Sequence, residues 1–267
     1  MYRLDRNAYL AIDAFNLAKN TTFNNAVGLE LSYVFDATRE RTLNIREGRR
    51  SKVWAEMYVN PAEQSKTFGT VGFDFRKYVP IYGDFIFAMR ASADISIGSD
   101  RLLHLLGGVD NALALSQNTG TPIDPNINYA YQTRITPLRG FSTNARNGSH
   151  MALVNAELRL PLISTFVRKP IKSDFVRHFQ VVGFLDCGTA WNGLHPYSMD
   201  NTFNQTSVEQ NPITVTIDNN REPVIGATGF GMRSRVLGYW LRADWGWGVD
   251  NGRWQKRIFS LAFSMDF

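Results

Sequence analysis

The sequence predicts an all-β chain, a transmembrane antiparallel β-barrel built as a meander. Three observations predict it. Apolar residues alternate with period two almost from end to end, the spacing of a strand with one apolar face, while helical periodicity is scarce. The last residues do this most sharply. Phe259, Leu261, Phe263, Met265 and Phe267 share one strand face, and Ile258, Ser260, Ala262, Ser264 and Asp266 share the other. Finally, no run approaches the ~20 apolar residues that a spanning helix needs. Aromatic residues nonetheless make up 13% of the chain, which suits a lipid-facing belt. A barrel needs only alternate residues to be apolar. The competing architecture is a soluble β-sandwich, with polar faces in water and apolar faces packed together. Its strands would usually be shorter and its loops less unequal.

The elements follow in order. Tyr9 to Asn16 is a weak first candidate. Val27, Leu29, Leu31, Tyr33 and Phe35 alternate with Gly28, Glu30, Ser32 and Val34, giving the first clear strand. Val53 to Val59 and Gly69 to Arg76 repeat the pattern. Phe85 to Ile97 extends it over about thirteen residues, long enough to cross a bilayer at a tilt. An irregular stretch follows, about 98–150, with Gly107-Gly108, Pro122, Pro125 and Pro137 and no clear membrane strand. Loops of this length usually carry function. Strands resume at Ala152 to Leu160, Phe179 to Trp191, about Val224 to Arg235, Tyr239 to Trp247 and Ile258 to Phe267, for about ten in all. Their polar faces hold charges of both signs, among them Glu56, Asp74, Arg90, Glu157, Arg159, Arg233, Arg242 and Asp244. Such faces point to a wet or ion-paired lumen rather than a dry core.

Several chemistries are excluded. Cys187 is the only cysteine, so there is no internal disulfide and no cysteine metal cluster. The four histidines show no short ligand spacing. Gly229-Phe230-Gly231 lies in no βαβ context, and no Gly-x-Ser-x-Gly elbow is present. No catalytic, metal or cofactor site is expected, and the chain reads as no enzyme. The net charge of +5 comes from Lys and Arg spread along the chain, so no nucleic-acid partner is expected. Trp245 and Trp247, on the apolar face, read as membrane-interface anchors. Met1 to Arg6 begins no signal peptide. An exported barrel needs one, so the chain is expected to start inside a longer protein.

One set of motifs goes further. Leu138-Arg139-Gly140-Phe141 sits in the long loop, followed by Asn144, Arg146 and Gly148. Upstream are Tyr33-Val34-Phe35-Asp36-Ala37-Thr38 and Gly48-Arg49-Arg50. Downstream come Asn155-Ala156-Glu157-Leu158-Arg159-Leu160-Pro161, Phe184-Leu185-Asp186-Cys187-Gly188, Gly229-Phe230-Gly231-Met232-Arg233 and the aromatic carboxyl end. In order and spacing, from about Ala26 to Phe267, this resembles the BamA-like outer-membrane protein superfamily, the bacterial surface antigen barrels.

The resemblance implies the carboxyl-terminal part of a sixteen-stranded barrel in the bacterial outer membrane. It implies that earlier strands and any periplasmic domains lie outside residues 1–267. It assigns Arg139, Gly140 and Phe141 to the tip of a loop folded into the lumen, with Glu157 and Asp186 as carboxylate partners. It makes Phe259, Leu261, Phe263, Met265 and Phe267 a lipid-facing insertion strand. The implied role is assembly of outer-membrane proteins or polypeptide translocation. The partners implied are outer-membrane lipids, unfolded outer-membrane or secreted polypeptides, and the barrel-assembly machinery. The alternative is a membrane anchor or passive pore for an amino-terminal hydrolase or propeller-like domain.

Overall fold

The computed structural model describes residues 27–60, 66–114, 117–133, 136–166, 172–199, 201, 203–210, 213–219 and 221–267. The strand candidate at Tyr9 to Asn16 lies outside them.

The chain is mostly antiparallel β-sheet. Four long strands open it: β1 (Val27–Thr42), β2 (Ile45–Val59), β3 (Thr67–Tyr82) and β4 (Phe85–Gly98). Three short strands follow within the long loop, β5 (Arg101–Leu106), β6 (Tyr129–Gln132) and β7 (Arg146–Gly148). Then come β8 (His150–Leu160), the short helices α1 (Leu162–Phe166) and α2 (Asp174–Arg177), and β9 (Gln180–Trp191). A separate hairpin, β10 (Gln205–Gln210) with β11 (Ile213–Asp218), precedes β12 (Ile225–Val236) and β13 (Tyr239–Asp250). The chain ends with β14 (Arg253–Trp254) and β15 (Ile258–Ala262).

Ten strands form one sheet in the order β1-β2-β3-β4-β8-β9-β12-β13, with both β14 and β15 paired to β13. Every ladder in it is antiparallel, so the meander expected from the alternation is present. The first four strands run to 14–16 residues, well beyond the usual ~5–6 of globular strands. The alternation sorts the side chains as expected. Leu29, Leu31, Tyr33, Val53, Phe73, Val154, Leu185 and Phe230 are exposed on the outer face. Asp94, Asn155, Glu157, Arg159, Asp186, Arg233 and Asp244 are buried on the inner one.

Short turns, such as Leu43-Asn44 and Leu237-Gly238, lie at one end of the sheet together with the helical connection from β8 to β9, and the long connections after β4 and β9 lie at the other. Within the long loop, β5 pairs with both β6 and β7. Alternation could not reveal β5, because Leu102, Leu103, His104, Leu105 and Leu106 are all buried. A strand buried on both faces reads as a continuous apolar run.

Two departures occur at the sheet ends. No ladder joins β1 to β15 among the described residues, so hydrogen bonding does not close the sheet into a barrel. The closing strand is also shorter than the alternation suggested, since β15 leaves the ladder after Ala262. Phe259, Phe263 and Met265 remain exposed on the outer side, and Leu261 is half-buried there. Phe267 is not on that face. Its ring packs inward against the buried cluster of Ile45, Tyr78, Ile86 and Ala88. Asp266 still points inward in phase, and only the terminal ring departs from period two, drawn in by this cluster and by Arg159.

Candidate functional site

The centre of the inner face is built by β8 and β9. Asn155 and Asp186 are paired across that ladder, and Glu157 stands opposite Phe184. All four point inward, so the register alone sets two carboxylates, an amide and an aromatic ring side by side. The long loop descends onto this patch. Arg139 donates from Nη1 to Glu157 at 2.5 Å and from Nε and Nη2 to the two oxygens of Asp186 at 2.7 Å each. Its backbone N–H donates to Asp186 as well, at 3.2 Å, and Asn155 Nδ2 donates to the same carboxylate at 2.8 Å. The guanidinium carbon lies 3.9 Å from the centroid of the Phe184 ring. Arg139, Glu157 and Asp186 are 4%, 2% and 3% exposed. The forked donor geometry of Arg matches two carboxylates in a way a Lys could not.

The residues around Arg139 fit this descent. Gly140 has φ +80°, and a Cβ there would come within 3.0 Å of the β13 backbone at Trp247 and Gly248. Facing it, a Cβ at Gly246 would sit 2.6 Å from the Gly140 nitrogen, and one at Gly248 would sit 2.5 Å from the Phe141 ring. The glycines of β13 are therefore the floor on which the loop tip rests. Leu138 and Phe141 are buried in an apolar cluster with Leu106, Met151, Leu153 and Ile225. Higher in the loop, Arg146 donates to Asp250 at 2.6 Å and to the carbonyls of Glu222 and Pro223 at 2.9 and 3.1 Å, and stacks 3.8 Å from the Phe203 ring. Asn144, at φ +67°, ties the carbonyls of Asn118 and Thr121. Burial beside His150 pushes the His104 imidazole down to about 4, so the β5 part of the loop carries a neutral histidine 3.6 Å from Asp94.

A second cluster, absent from the sequence reading, lies toward the end with the short turns. Asp266 accepts from Arg233 Nε at 2.9 Å, from Asn44 Nδ2 at 2.9 Å and from Arg242 at 3.5 Å. Arg233 also pairs with Asp244 at 2.8 Å. Arg159 donates to Glu157 at 2.7 Å, to the carbonyl of Asn44 at 3.2 Å and to the backbone oxygen of Phe267 at 3.0 Å. Gln180 reaches the Leu43 carbonyl at 2.9 Å. The β1–β2 turn thus folds inward and meets the carboxyl-terminal tail. Glu157 bridges Arg139 and Arg159, so the loop clamp and this latch form one network. It balances Arg139, Arg159, Arg233 and Arg242 against Glu157, Asp186, Asp244 and Asp266. The missed signal was the phase of Asp266 and Asp244, which alternation already placed on the polar face.

Among the described residues, no three His, Cys, Asp or Glu side chains are grouped to hold a metal ion. Cys187 is exposed on the outer face of β9. The arrangement fixes a loop inside the sheet and ties the first hairpin to the last residues.

No family model matches the sequence, and no curated protein matches it. Among solved structures, a similar chain is the BamA of Haemophilus ducreyi lacking POTRA domains 1-3. Its TM-score is 0.48 at 14% identity, with 88% of this chain and 42% of that chain covered. The chain thus spans less than half the length of that structure.

Proposed function

We propose that this chain is the wall of a bacterial outer-membrane β-barrel that works in the assembly of outer-membrane proteins or in polypeptide translocation. The observation that carries the reading is the pairing of two unlike faces. An apolar outer face, long enough to cross a bilayer, is left uncovered, and exposed apolar patches of this extent mark membrane or partner surfaces. The inner face is ion-paired and filled by a clamped loop. A lumen occupied in this way suits a barrel whose action is on its wall and rim. That action is mechanical, not catalytic. The Arg-Gly-Phe loop resemblance favours assembly or translocation among such barrels.

The test is reconstitution of the full-length protein in lipid vesicles, with the folding rate of a second, unfolded β-barrel protein as readout. Faster folding of that client, with little ion conductance through the reconstituted protein, is the expected result. High steady conductance with no effect on the client would overturn it. That outcome would favour the second reading, a membrane anchor or passive pore. One observation supports this alternative: Arg50, Lys52, Trp54, Asp74 and Arg76 line an open inner-face cavity of about 210 Å³.

A further inference from the structure

The outer edge of β15 is not bare. Its inner neighbour is β13, paired from Gly246↔Ile258 to Arg242↔Ala262. On the opposite edge lies a piece of the long loop, Asp110 to Leu113. Leu113 donates its N–H to the Leu261 carbonyl at 2.8 Å, and Phe263 donates to the Asn111 carbonyl at 3.3 Å. Ala112 and Ala262 form an antiparallel bridge between them. Ser264 Oγ reaches the Asp110 carbonyl at 3.5 Å. These bonds satisfy backbone groups that an extended partner strand would otherwise take, since an unpaired strand edge is a template for another strand.

The cover is short. Asn111 sits at φ +53°, which ends its extended geometry, and Asp110, Asn111 and Leu113 are exposed. Arg139 anchors the same loop further along, so release of the cover need not release the clamp. We propose that Asp110–Leu113 is a built-in, displaceable cover on the β15 edge. It occupies the place of an incoming extended strand whose alternate residues are apolar, matching Phe259, Leu261 and Phe263 on the outer side. This deepens the strand-handling reading above and rests on it for biological meaning, while the cover itself stands on the backbone bonds alone.

The test uses the full-length protein in lipid vesicles, in a Cys187→Ser background, with Ala112→Cys and Ala262→Cys introduced together. Directly bridged residues of antiparallel strands lie within disulfide reach. The probe is a synthetic extended peptide of alternating Val and Thr that carries a photo-crosslinker. Oxidation is expected to join the two cysteines. The reduced protein is expected to capture the peptide at β15, and the oxidised protein to capture it at least tenfold less. Leu113→Pro, which removes the donor to Leu261, is expected to raise capture above that of the reduced parent. Failure of the disulfide to form overturns the cover. Equal capture in both redox states, or capture in neither, overturns its role as a gate on this edge. Client folding, measured in parallel, separates the two ideas. Redox-controlled peptide capture without any effect on client folding keeps the cover and removes the assembly role.

Discussion

Two regions of the inner face hold charge in different ways. On the side built by β8, β9, β12 and β13, five guanidinium–carboxylate contacts, made by Arg139, Arg159 and Arg233, lie at 2.5–2.9 Å with side chains almost wholly buried. On the side built by β1 and β2, Lys52 stands 3.9 Å from Glu30 and Arg50 stands 3.5 Å from Asp36, with all four side chains about two-fifths exposed. The signs of charge are the same, and Arg50 with Asp36 repeats the residue types of the covered pairs. The difference is what lies over them. The loop tip and the carboxyl-terminal tail cover the first side and exclude water. The second side faces an open cavity. Alternation decides which residues point inward, and the covering chain decides whether their charges become structure. A pair in water gains little from its Coulomb attraction. A buried pair must be kept whole, because removal of one partner strands the other.

Arg139→Ala probes the covered side most directly. It leaves Asp186 and Glu157 buried with fewer donors, although Asn155 and Arg159 retain one bond each. A loss of ~3–5 kcal/mol is expected, read as a lower urea midpoint for the protein in vesicles and as protease cleavage between residues 107 and 145. An unchanged midpoint with an intact loop would break the comparison. Asp266→Asn tests whether the latch shares in that network. It removes the charge facing Arg233 and Arg242 while Asp244 still serves both. A cost of about 2–3 kcal/mol is expected. A double variant with Arg139→Ala should cost less than the sum of the single losses, because Glu157 and Arg159 link the two clusters.

How much of this could be read from the sequence follows from the range of each interaction. The strands of the main sheet were legible, because alternation is a local property of a half-buried strand. Arg139 with Glu157 and Asp186 was named through a resemblance of motifs, not through alternation. The latch was not legible. Asn44 and Asp266 are 222 positions apart, and nothing local says that the β1–β2 turn folds inward to meet the last residues. The inward turn of Phe267 is hidden for the same reason, since its contacts with Arg159 and Tyr78 override strand phase at that one residue. Strand β5 hid because burial on both faces erases period two. Nothing local marks Gly246 and Gly248 of β13 as the floor for Gly140 and Phe141.

Gly248→Ala sharpens the role of that floor without touching a charge. The new methyl would meet the Phe141 ring, itself held among Leu138, Met151 and Ile225, so the loop tip must lift or the ring must turn. Overpacking of this kind costs about 1–2 kcal/mol. Loop proteolysis should rise in step with the lowered urea midpoint. If the midpoint fell while the loop stayed resistant, the strain would lie in β13 itself and not at the loop contact.

The smallest effect is expected on the open side, and it is the control on which the comparison depends. Lys52→Gln removes a charge that stands 3.9 Å from Glu30 and lies over the Trp54 ring at 5.4 Å. Both charged side chains are in contact with solvent, so the pair is screened by salt, and its loss should cost under ~1 kcal/mol. The difference between parent and variant should shrink further as salt is raised, whereas that for Arg139→Ala should hardly move. A large, salt-insensitive loss at Lys52 would mean that β1 and β2 are covered in the membrane. The contrast between the two regions would then reflect a missing neighbour on the open side, not a difference in how each region is built.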